Sequence, residues 1–368
     1  MEQKTVVVSA VNLVVGGTLT VLQDCLSYLS ELAITENIRV IALVHRQDLA
    51  YYPHIEYIEL PWAKKSWVAR LWCEYVTMNK ISKQISNIFL WLSLHDTTPN
   101  VRAQRRAVYC HNSFPFYKWS FFDLKFSYKI VLFALFSKYA YWINIKRNTY
   151  VIVQQNWFKD EFIKNFGLSK DDIVVAYPTS PVVEDFCMEE AENKDDCYNF
   201  FYPSSASTHK NFHLVCEAAS KISRTENFKV YLTLNPEGTP YEQWLYARYS
   251  KYSNIVFTGF LSKAEMAVMY QQADCLIFAS KIETWGLPIS EFSTSGRPML
   301  LADLPYARTS SHGSRLTSFF HPDQEQDLRE KMIKLIHGDT SFLQEVQPQE
   351  HEGVHVNSWK GLFHHLLA

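Results

Sequence analysis

Long hydrophobic runs are missing from the most aromatic part of this sequence, residues 61–150. The longest clean apolar run there is Ile130 to Phe136, far short of the ~20 residues that a membrane-spanning helix needs. Cysteine occurs seven times, an odd number, without a C-x-x-C pair, and the histidines are not clustered. This pattern argues against a disulfide framework and against a zinc site, and it favours a reducing compartment such as the cytoplasm.

The amino terminus also lacks the small-residue cleavage site of a secretory signal peptide, although it is rich in apolar side chains. We predict a first buried strand at Val6 to Val8, because the apolar stretch leads directly into the glycine pair Gly16-Gly17. Of the 368 residues, 47% are hydrophobic and 20% are charged. This is an ordinary soluble composition, and the length favours two α/β domains, each with its own core.

Net charge is small, −2 at pH 7, but it is unevenly distributed. Residues 61–150 contain fourteen Lys or Arg and three acidic residues, a net charge of +11, together with many aromatic side chains. Basic and aromatic residues in combination are typical of surfaces that dock on lipid headgroups, so we expect binding to an anionic membrane or a lipid-linked phosphate. Two alternatives remain: the aromatic residues form a core beneath a solvated basic face, or the segment binds nucleic acid, for which no motif is present.

The stretch from Asp274 to Pro298 has the pattern of a strand, a loop and a helix. Cys275 to Ala279 is a short apolar run typical of a buried parallel strand, and the helix is expected to open at Pro288 and to close at Gly296. A loop between such a strand and a helix N-terminus presents backbone N–H groups and a positive partial charge. The loop is therefore suited to binding a phosphate.

Two glutamates belong to this stretch: Glu283 lies in the loop and Glu291 lies in the first part of the helix, with seven residues between them. Each alone has an ordinary explanation, because a helix dipole favours Glu291 and a solvated loop accommodates Glu283. The combination, with Trp-Gly-Leu-Pro between the two, resembles the E-x7-E signature of retaining glycosyltransferases of the GT-B fold, in particular family four.

The resemblance covers nearly the whole chain, patchily in residues 50–105 and 118–148, and it implies the fold. The expected class is α/β of the GT-B type, with two Rossmann-like domains that face each other across a cleft. The expected boundaries are 1–178 for an N-terminal acceptor-side domain, 179–352 for a C-terminal nucleotide-sugar-binding domain, and 353–368 for a closing helix that packs back on the first domain. Near the first boundary, the acidic segment 187–197 is predicted to be a solvated loop.

Two segments of the predicted first domain resemble substrate-binding segments of the glycosyltransferase family. Gly16 and Gly17 lie between a predicted strand and a predicted helix, where their backbone would face the donor diphosphate. His111 follows the predicted strand Val108 to Cys110 in the text HNSFPF, which looks like the acceptor-side histidine of the family. The alternatives are an ordinary tight turn for the glycines and a structural role for the histidine.

In the second domain, Lys210 in the text STHKNF resembles the lysine with which the family binds the donor diphosphate; the alternative is a surface lysine. The arginine that the family usually has five residues earlier is Ser205 here, which leaves Arg308 or a first-domain residue as candidates for a second cation. The pair Gly259-Phe260 resembles the turn beside the nucleotide base.

The resemblance implies a retaining glycosyltransferase of the hexosyltransferase type, which moves a sugar from a nucleotide diphosphate sugar to a lipid-linked glycan acceptor. The process would be cell-surface polysaccharide biosynthesis of the O-antigen or lipopolysaccharide type, at the inner face of the plasma membrane, without nucleic acid as a partner. No metal and no cofactor besides the donor are expected. The alternatives are a nucleotide-sugar epimerase or another GT-B enzyme, and a catalytically inactive protein that binds nucleotide sugars.

The resemblance also implies roles for individual residues. The catalytic candidates are Glu283, at the sugar hydroxyls, and His111, at the sugar or the acceptor. Glu291 is expected at the ribose. The donor-binding candidates lie in loops and at helix starts, and they are Gly16, Gly17, Ser205, Lys210, Gly259, Phe260, Thr284, Trp285, Gly286, Leu287 and Glu291.

Overall fold

The structure, a computed structural model, describes residues 3–177, 197–348 and 352–368. Strands and helices are numbered in chain order. The strands in these ranges are β1 (Thr5–Ala10), β2 (Arg39–Val44), β3 (Ile55–Glu59), β4 (Ile88–Ser93), β5 (Arg105–Tyr109), β6 (Tyr150–Val153), β7 (Ile173–Ala176), β8 (Tyr198–Tyr202), β9 (Phe228–Leu232), β10 (Ile255–Phe257), β11 (Cys275–Phe278), β12 (Met299–Ala302), β13 (Thr317–Phe320) and β14 (His355–Val356).

The helices of the same ranges are α1 (Gly16–Thr35), α2 (Trp67–Trp72), α3 (Met78–Gln84), α4 (Phe121–Phe126), α5 (Tyr128–Trp142), α6 (Asn156–Phe166), α7 (Phe212–Ser220), α8 (Pro240–Tyr249), α9 (Lys263–Gln272), α10 (Leu287–Ser293), α11 (Pro305–Ser310), α12 (Glu325–Ile336) and α13 (Trp359–Leu367). A single π turn, Cys73–Thr77, joins α2 to α3. Among these helices none is both long and apolar enough to cross a membrane. The acidic segment 187–197, predicted as a solvated loop, lies outside the described residues apart from Cys197.

The first compact unit comprises Met1–Phe116, Leu135–Thr179 and His351–Ala368. In its described part, eight strands form one parallel sheet in the order β14-β7-β6-β5-β4-β1-β2-β3. Strand β1 is buried along its whole length, as expected for an apolar strand inside a parallel sheet covered on both faces. The closing helix α13 belongs to this unit, where Phe363 enters the core beside α1.

The second compact unit comprises Tyr117–Ala134 and Ser180–Glu350. Its described strands form a parallel sheet in the order β10-β9-β8-β11-β12-β13. Strands β8 and β11 are neighbours in this sheet, so the loops that leave their carboxyl ends lie at the same edge. The predicted α/β fold class is confirmed in both units.

Residues 117–134 differ from their predicted place. The sequence analysis assigned them to the first domain, whereas their contacts group them with the second unit. The reason is aromatic packing by α4: the rings of Phe122 and Phe126 lie 5.6 Å and 5.3 Å from the ring of Trp244 on α8. Phe122 also lies 4.4 Å from the ring of His213 on α7. Burial of these large side chains anchors α4 on the second unit.

Candidate active site

The loop between β11 and α10 is held in shape by hydrogen bonds to buried neighbours. The Tyr306 hydroxyl donates to the Ser280 carbonyl at 2.6 Å, and the Ser280 hydroxyl donates to the Ile282 carbonyl at 3.0 Å. Ser280 and Ile282 are both buried. These bonds restrict the path of the backbone, so the side chain of Glu283 leaves the loop in a defined direction.

Gly286 is the residue that turns this loop into α10. It has φ +92°, a left-handed conformation that favours glycine. A Cβ added there would lie 3.3 Å from Ile289 Cδ1 and 3.5 Å from the Tyr306 ring. The transition from loop to helix, predicted to bind phosphate through backbone amides, consists of Thr284, Trp285, Gly286 and Leu287. This contact with phosphate stays a prediction.

Lys210 and Glu283 form an ion pair although 73 residues separate them. The Lys210 ammonium group donates to Glu283 Oε1, and the two side chains are only 13% and 16% exposed. Lys210 ends the short turn Thr208–Lys210 that follows β8, next to the loop after β11. Because both charges have lost most of their water, each depends on the other as a partner. A diphosphate that binds Lys210 would release the Glu283 carboxylate for hydrogen bonds to a sugar.

Glu291 is held by a residue that the sequence analysis missed. The hydroxyl of Tyr270, on α9, donates to Glu291 Oε2 at 2.9 Å. Burial and the nearby Glu291 raise the pKa of Tyr270 well above its ordinary value, so the phenol keeps its proton. The two residues are 21 positions apart and no local pattern joins them.

Ser205 and Arg308 are the two positions that the sequence analysis named in connection with a second cation for the diphosphate. Ser205 is exposed and carries no charge. Arg308 already has partners within the second unit: Nη2 lies 2.7 Å from Asp303 Oδ1, and the guanidinium lies 4.2 Å from the centre of the Phe319 ring. Arg308 would have to leave these partners before it could bind a phosphate.

Lys281 is a cation of the active-site loop that the sequence analysis overlooked. Its backbone N–H donates to the His209 carbonyl at 2.7 Å, which joins the loop to the turn that carries Lys210. Its ammonium group pairs with Asp323 at 2.7 Å. The sequence did offer a signal for Lys281, because it is a basic residue two positions before Glu283 in the predicted phosphate-binding loop.

The turn after β10 presents an aromatic ring to solvent. Gly259 has φ +76°, and its N–H donates to the Leu234 carbonyl at 3.0 Å. The following residue, Phe260, is 92% exposed. A flat ring in this position can stack on a nucleotide base, which is the role predicted for it.

Gly16 and Gly17 lie in the first unit, at the start of α1. Both are exposed, and nothing lies within 4 Å of a Cβ built on either residue. Gly16 has φ +64°, so its backbone conformation favours glycine even though space is available. The open space leaves room for a ligand beside the backbone, and the predicted contact with diphosphate is still a prediction.

His111 also lies in the first unit, after the carboxyl end of β5. Its ring stacks on Tyr109, with 4.4 Å between ring centres. Burial lowers the pKa of His111 although the nearby Asp96 charge opposes this effect, so the imidazole is neutral at pH 7. Within the described ranges, its Nε2 atom is buried and has no hydrogen-bond partner. A neutral ring with an unused nitrogen can bind a substrate hydroxyl.

In the part of the chain that the structure describes, no set of three or more His, Cys, Asp or Glu side chains could hold a metal ion.

Residues 184–348 match the family described as Glycosyl transferases group 1. The O-antigen chain mannosyltransferase RfbU of Salmonella typhimurium (strain LT2) is 24% identical over 244 residues, which are 66% of this chain and 64% of RfbU. The chain therefore spans slightly less than two thirds of that relative's length.

Two solved structures are similar in fold to this chain. WaaG, a glycosyltransferase involved in lipopolysaccharide biosynthesis, has a TM-score of 0.62 at 13% identity and covers 92% of both chains. HepE from Anabaena in complex with UDP-glucose has a TM-score of 0.59 at 14% identity, again over 92% of both chains. At such low identity the likeness shows the fold, and the expected GT-B class is confirmed.

Proposed function

We propose that this chain is a retaining glycosyltransferase that transfers a sugar from a nucleoside diphosphate sugar to a lipid-linked glycan. The observation that carries the proposal is the ion pair of Lys210 with Glu283 in front of α10. It brings together a cation suited to phosphate and a carboxylate suited to sugar hydroxyls, at the carboxyl edge of one parallel sheet. The names of RfbU and WaaG support an acceptor of the O-antigen or lipopolysaccharide type.

The proposed chemistry requires charge placement rather than a metal. Positive charge builds at the sugar and negative charge builds on the departing diphosphate, so the protein must stabilise both. Lys210 serves the diphosphate, Glu283 holds sugar hydroxyls, Glu291 holds the ribose, and His111 contacts the sugar or the acceptor. The backbone donors proposed for the diphosphate are those of Gly16, Gly17, Thr284, Trp285, Gly286 and Leu287.

Thermal unfolding with individual nucleotide sugars tests the donor site. A donor present at a hundred times its dissociation constant should raise the free energy of unfolding by ~2.7 kcal/mol, because it binds the folded state alone. UDP, GDP and dTDP sugars should be compared, with the matching free sugars as controls. If none of the nucleotide sugars raises the unfolding temperature above its free-sugar control, the proposed donor site is wrong.

The donor identified in this way can then be used to distinguish sugar transfer from epimerisation and from binding without turnover. Incubation with a lipid-linked glycan should give a product whose anomeric configuration, read by NMR, matches that of the donor. Conversion of the donor without any acceptor would favour a nucleotide-sugar epimerase. Binding without turnover under either condition would favour an inactive nucleotide-sugar-binding protein.

We also propose that α5 attaches the enzyme to an anionic membrane. Helix α5 is mostly apolar, and its apolar side chains are not confined to one side of the helix. One face does pack inward, through Val131, Ala134 and Tyr141. The opposite face carries six large side chains that are between 45% and 65% exposed: Tyr128, Leu132, Leu135, Phe136, Tyr139 and Trp142. These side chains follow helical spacing and form one exposed stripe.

Charge indicates what covers the exposed stripe. Lys129 and Lys138 are exposed and flank it on the helix surface. The chain has no acidic residue between Asp123 and Asp160, and Asp123 is itself buried as the N3 residue of the capping box of α4. A second copy of the stripe would bring like charges together, whereas anionic headgroups complement them. The proposed location is thus the cytoplasmic face of the plasma membrane, with the exposed stripe of α5 and its two lysines, all within the basic segment 61–150, towards the lipid.

Sedimentation with lipid vesicles checks this attachment. Anionic vesicles should pull the protein down at low salt and release much of it at high salt, because each basic residue near the surface contributes ~1 kcal/mol that salt screens. Charge reversal at Lys125, Lys129 and Lys138 should weaken the binding. The matched control reverses three exposed lysines of the second unit: Lys229, Lys251 and Lys263. Equal binding to neutral and anionic vesicles would contradict the proposal.

A further inference from the structure

The carboxylate of Asp96 holds the loop that carries His111. Strands β4 and β5 are parallel neighbours, so the residues that follow them lie at one edge of the sheet. Asp96 Oδ1 accepts hydrogen bonds from the backbone N–H of His111 at 2.5 Å and of Asn112 at 3.0 Å. The Tyr141 hydroxyl lies 3.0 Å from the same oxygen. A single carboxylate oxygen thus gathers donors from two segments of the chain.

The Tyr141 hydroxyl joins Asp96 to the loop of His111, and the backbone of Asp96 has an uncommon conformation. Tyr141 is 2% exposed, and its hydroxyl also lies 2.9 Å from the Asn112 carbonyl. Burial and the nearby Asp96 raise the pKa of Tyr141 well above its ordinary value, so the hydroxyl stays protonated. Asp96 has φ +70°, a left-handed conformation that few residues other than glycine adopt. Such a conformation persists only where the surrounding contacts hold it.

The residue before Asp96 is fixed by a buried network. His95 is fully buried; Arg70 Nη2 donates to its carbonyl at 2.7 Å, and Glu74 Oε1 lies 3.2 Å from its Nδ1 atom. Burial alone would raise the pKa of Glu74, but His95 and Arg70 lower it to about 2, so this carboxylate stays ionised. Glu74 lies in the π turn between α2 and α3, a feature found frequently at functional sites. The network therefore anchors the chain at the point where Asp96 begins.

We propose that Asp96 is a positioning residue, which holds the backbone of His111 and Asn112 so that the imidazole presents its unpartnered Nε2 atom to substrate. The inference rests on the proposed function, in which His111 contacts the sugar or the acceptor. The Nε2 atom of His111 is buried and has no hydrogen-bond partner in the described residues, so a substrate hydroxyl would satisfy it.

Kinetics of Asp96 variants test the positioning role. Asp96→Ala should lower kcat/KM by about a hundredfold, since a displacement of about 1 Å at a reacting group has an effect of that size. Asp96→Asn should lose less, because its amide oxygen still accepts hydrogen bonds. In a His111→Ala background, Asp96→Ala should cause no further loss, because the two residues act through one group.

Asp160→Asn, at an exposed position of α6, is the matched control. Unchanged kcat/KM in Asp96→Ala, or an equal loss in both backgrounds, would overturn the proposal.

An NMR titration tests the same arrangement without any assay of transfer. Asp96 and His95 are the charged or titratable groups that act on the His111 ring, and Tyr109 stacks on it. Removing the Asp96 charge in Asp96→Asn should lower the pKa of His111, because a nearby negative charge favours imidazolium. The spectrum of His111→Ala identifies the signal among the thirteen histidines. An unchanged pKa would overturn the proposal, whereas a wild-type protein that transfers no sugar would contradict the proposed function alone.

Discussion

Replacing Glu283 by Gln is expected to lower kcat by about ten- to a thousandfold, by analogy with the loss of one hydrogen bond that stabilises a transition state. Glu283 lies in the loop proposed to meet the reacting sugar, and its carboxylate can tighten its hydrogen bonds as the sugar ring flattens. Interactions that strengthen in the transition state affect kcat, whereas uniform binding affects KM. Steady-state kinetics over a range of donor concentrations measures both quantities.

Glu291→Gln is the matched comparison, and it should mostly raise the donor KM. Glu291 is proposed to hold the ribose, which does not change during the reaction. The Tyr270 hydroxyl orients its carboxylate at 2.9 Å, so Tyr270→Phe should raise the donor KM in the same direction with a smaller effect. Circular dichroism should show that all three variants are folded. Equal and small effects of the two glutamate substitutions would mean that the pair is structural.

Glu283→Gln has a second consequence, for binding of the free nucleoside diphosphate. In the structure the Glu283 carboxylate is the ion-pair partner of Lys210. Glutamine is uncharged, so the substitution leaves the ammonium group available for phosphate. The variant should therefore bind nucleoside diphosphate at least as tightly as the wild type while it transfers sugar more slowly.

Lys210→Ala is expected to weaken binding of the donor and of the free nucleoside diphosphate together. Both ligands carry the phosphates that Lys210 is proposed to contact, and loss of a charge-assisted hydrogen bond in a shielded site costs about 1.5 to 3 kcal/mol. The Lys210 side chain is 13% exposed, so solvent screens this interaction little. Isothermal titration of the nucleoside diphosphate measures the loss directly.

The matched control for Lys210 is Lys263→Ala, at the exposed first position of α9 in the same unit. It removes the same charge from the protein and should leave the affinity unchanged. The Lys210 substitution also leaves Glu283 without its ion-pair partner, so thermal unfolding must show that the variant is folded at the titration temperature. An unchanged affinity for nucleoside diphosphate in folded Lys210→Ala would rule out the phosphate contact.

Local features of the sequence were sufficient to locate much of the fold. The run Val6 to Val8 lies inside β1, and Cys275 to Ala279 coincides with β11 to within one residue. Such runs can be recognised in the sequence because a strand that is buried on both faces is apolar at nearly every position. Glycine and proline at the start of α10 likewise mark the loop that contains Glu283.

Among the strands of the first sheet that were not predicted, β3 and β4 were missed for different reasons. Strand β3 lies at the edge of the sheet and is only partly buried, so its sequence, IEYIE, has no continuous apolar run. Strand β4 is apolar and buried, but it lies within residues 50–105, where the family resemblance is patchy and no strand was assigned. His95 and Asp96, which follow β4, were overlooked with it.

The sequence by itself located some of the chemical groups at the carboxyl ends of the strands, Lys210, Glu283 and His111, because strand, loop and helix follow from residues close together in the chain. The tertiary structure alone decided which of these groups meet. It brought Lys210 to Glu283 across 73 residues and the Asp96 carboxylate to the Tyr141 hydroxyl across 45. It also placed α4 on the second unit through aromatic packing. Hydrogen bonds and ion pairs form over about 3 Å, and distances of that size between remote residues depend on how whole elements pack.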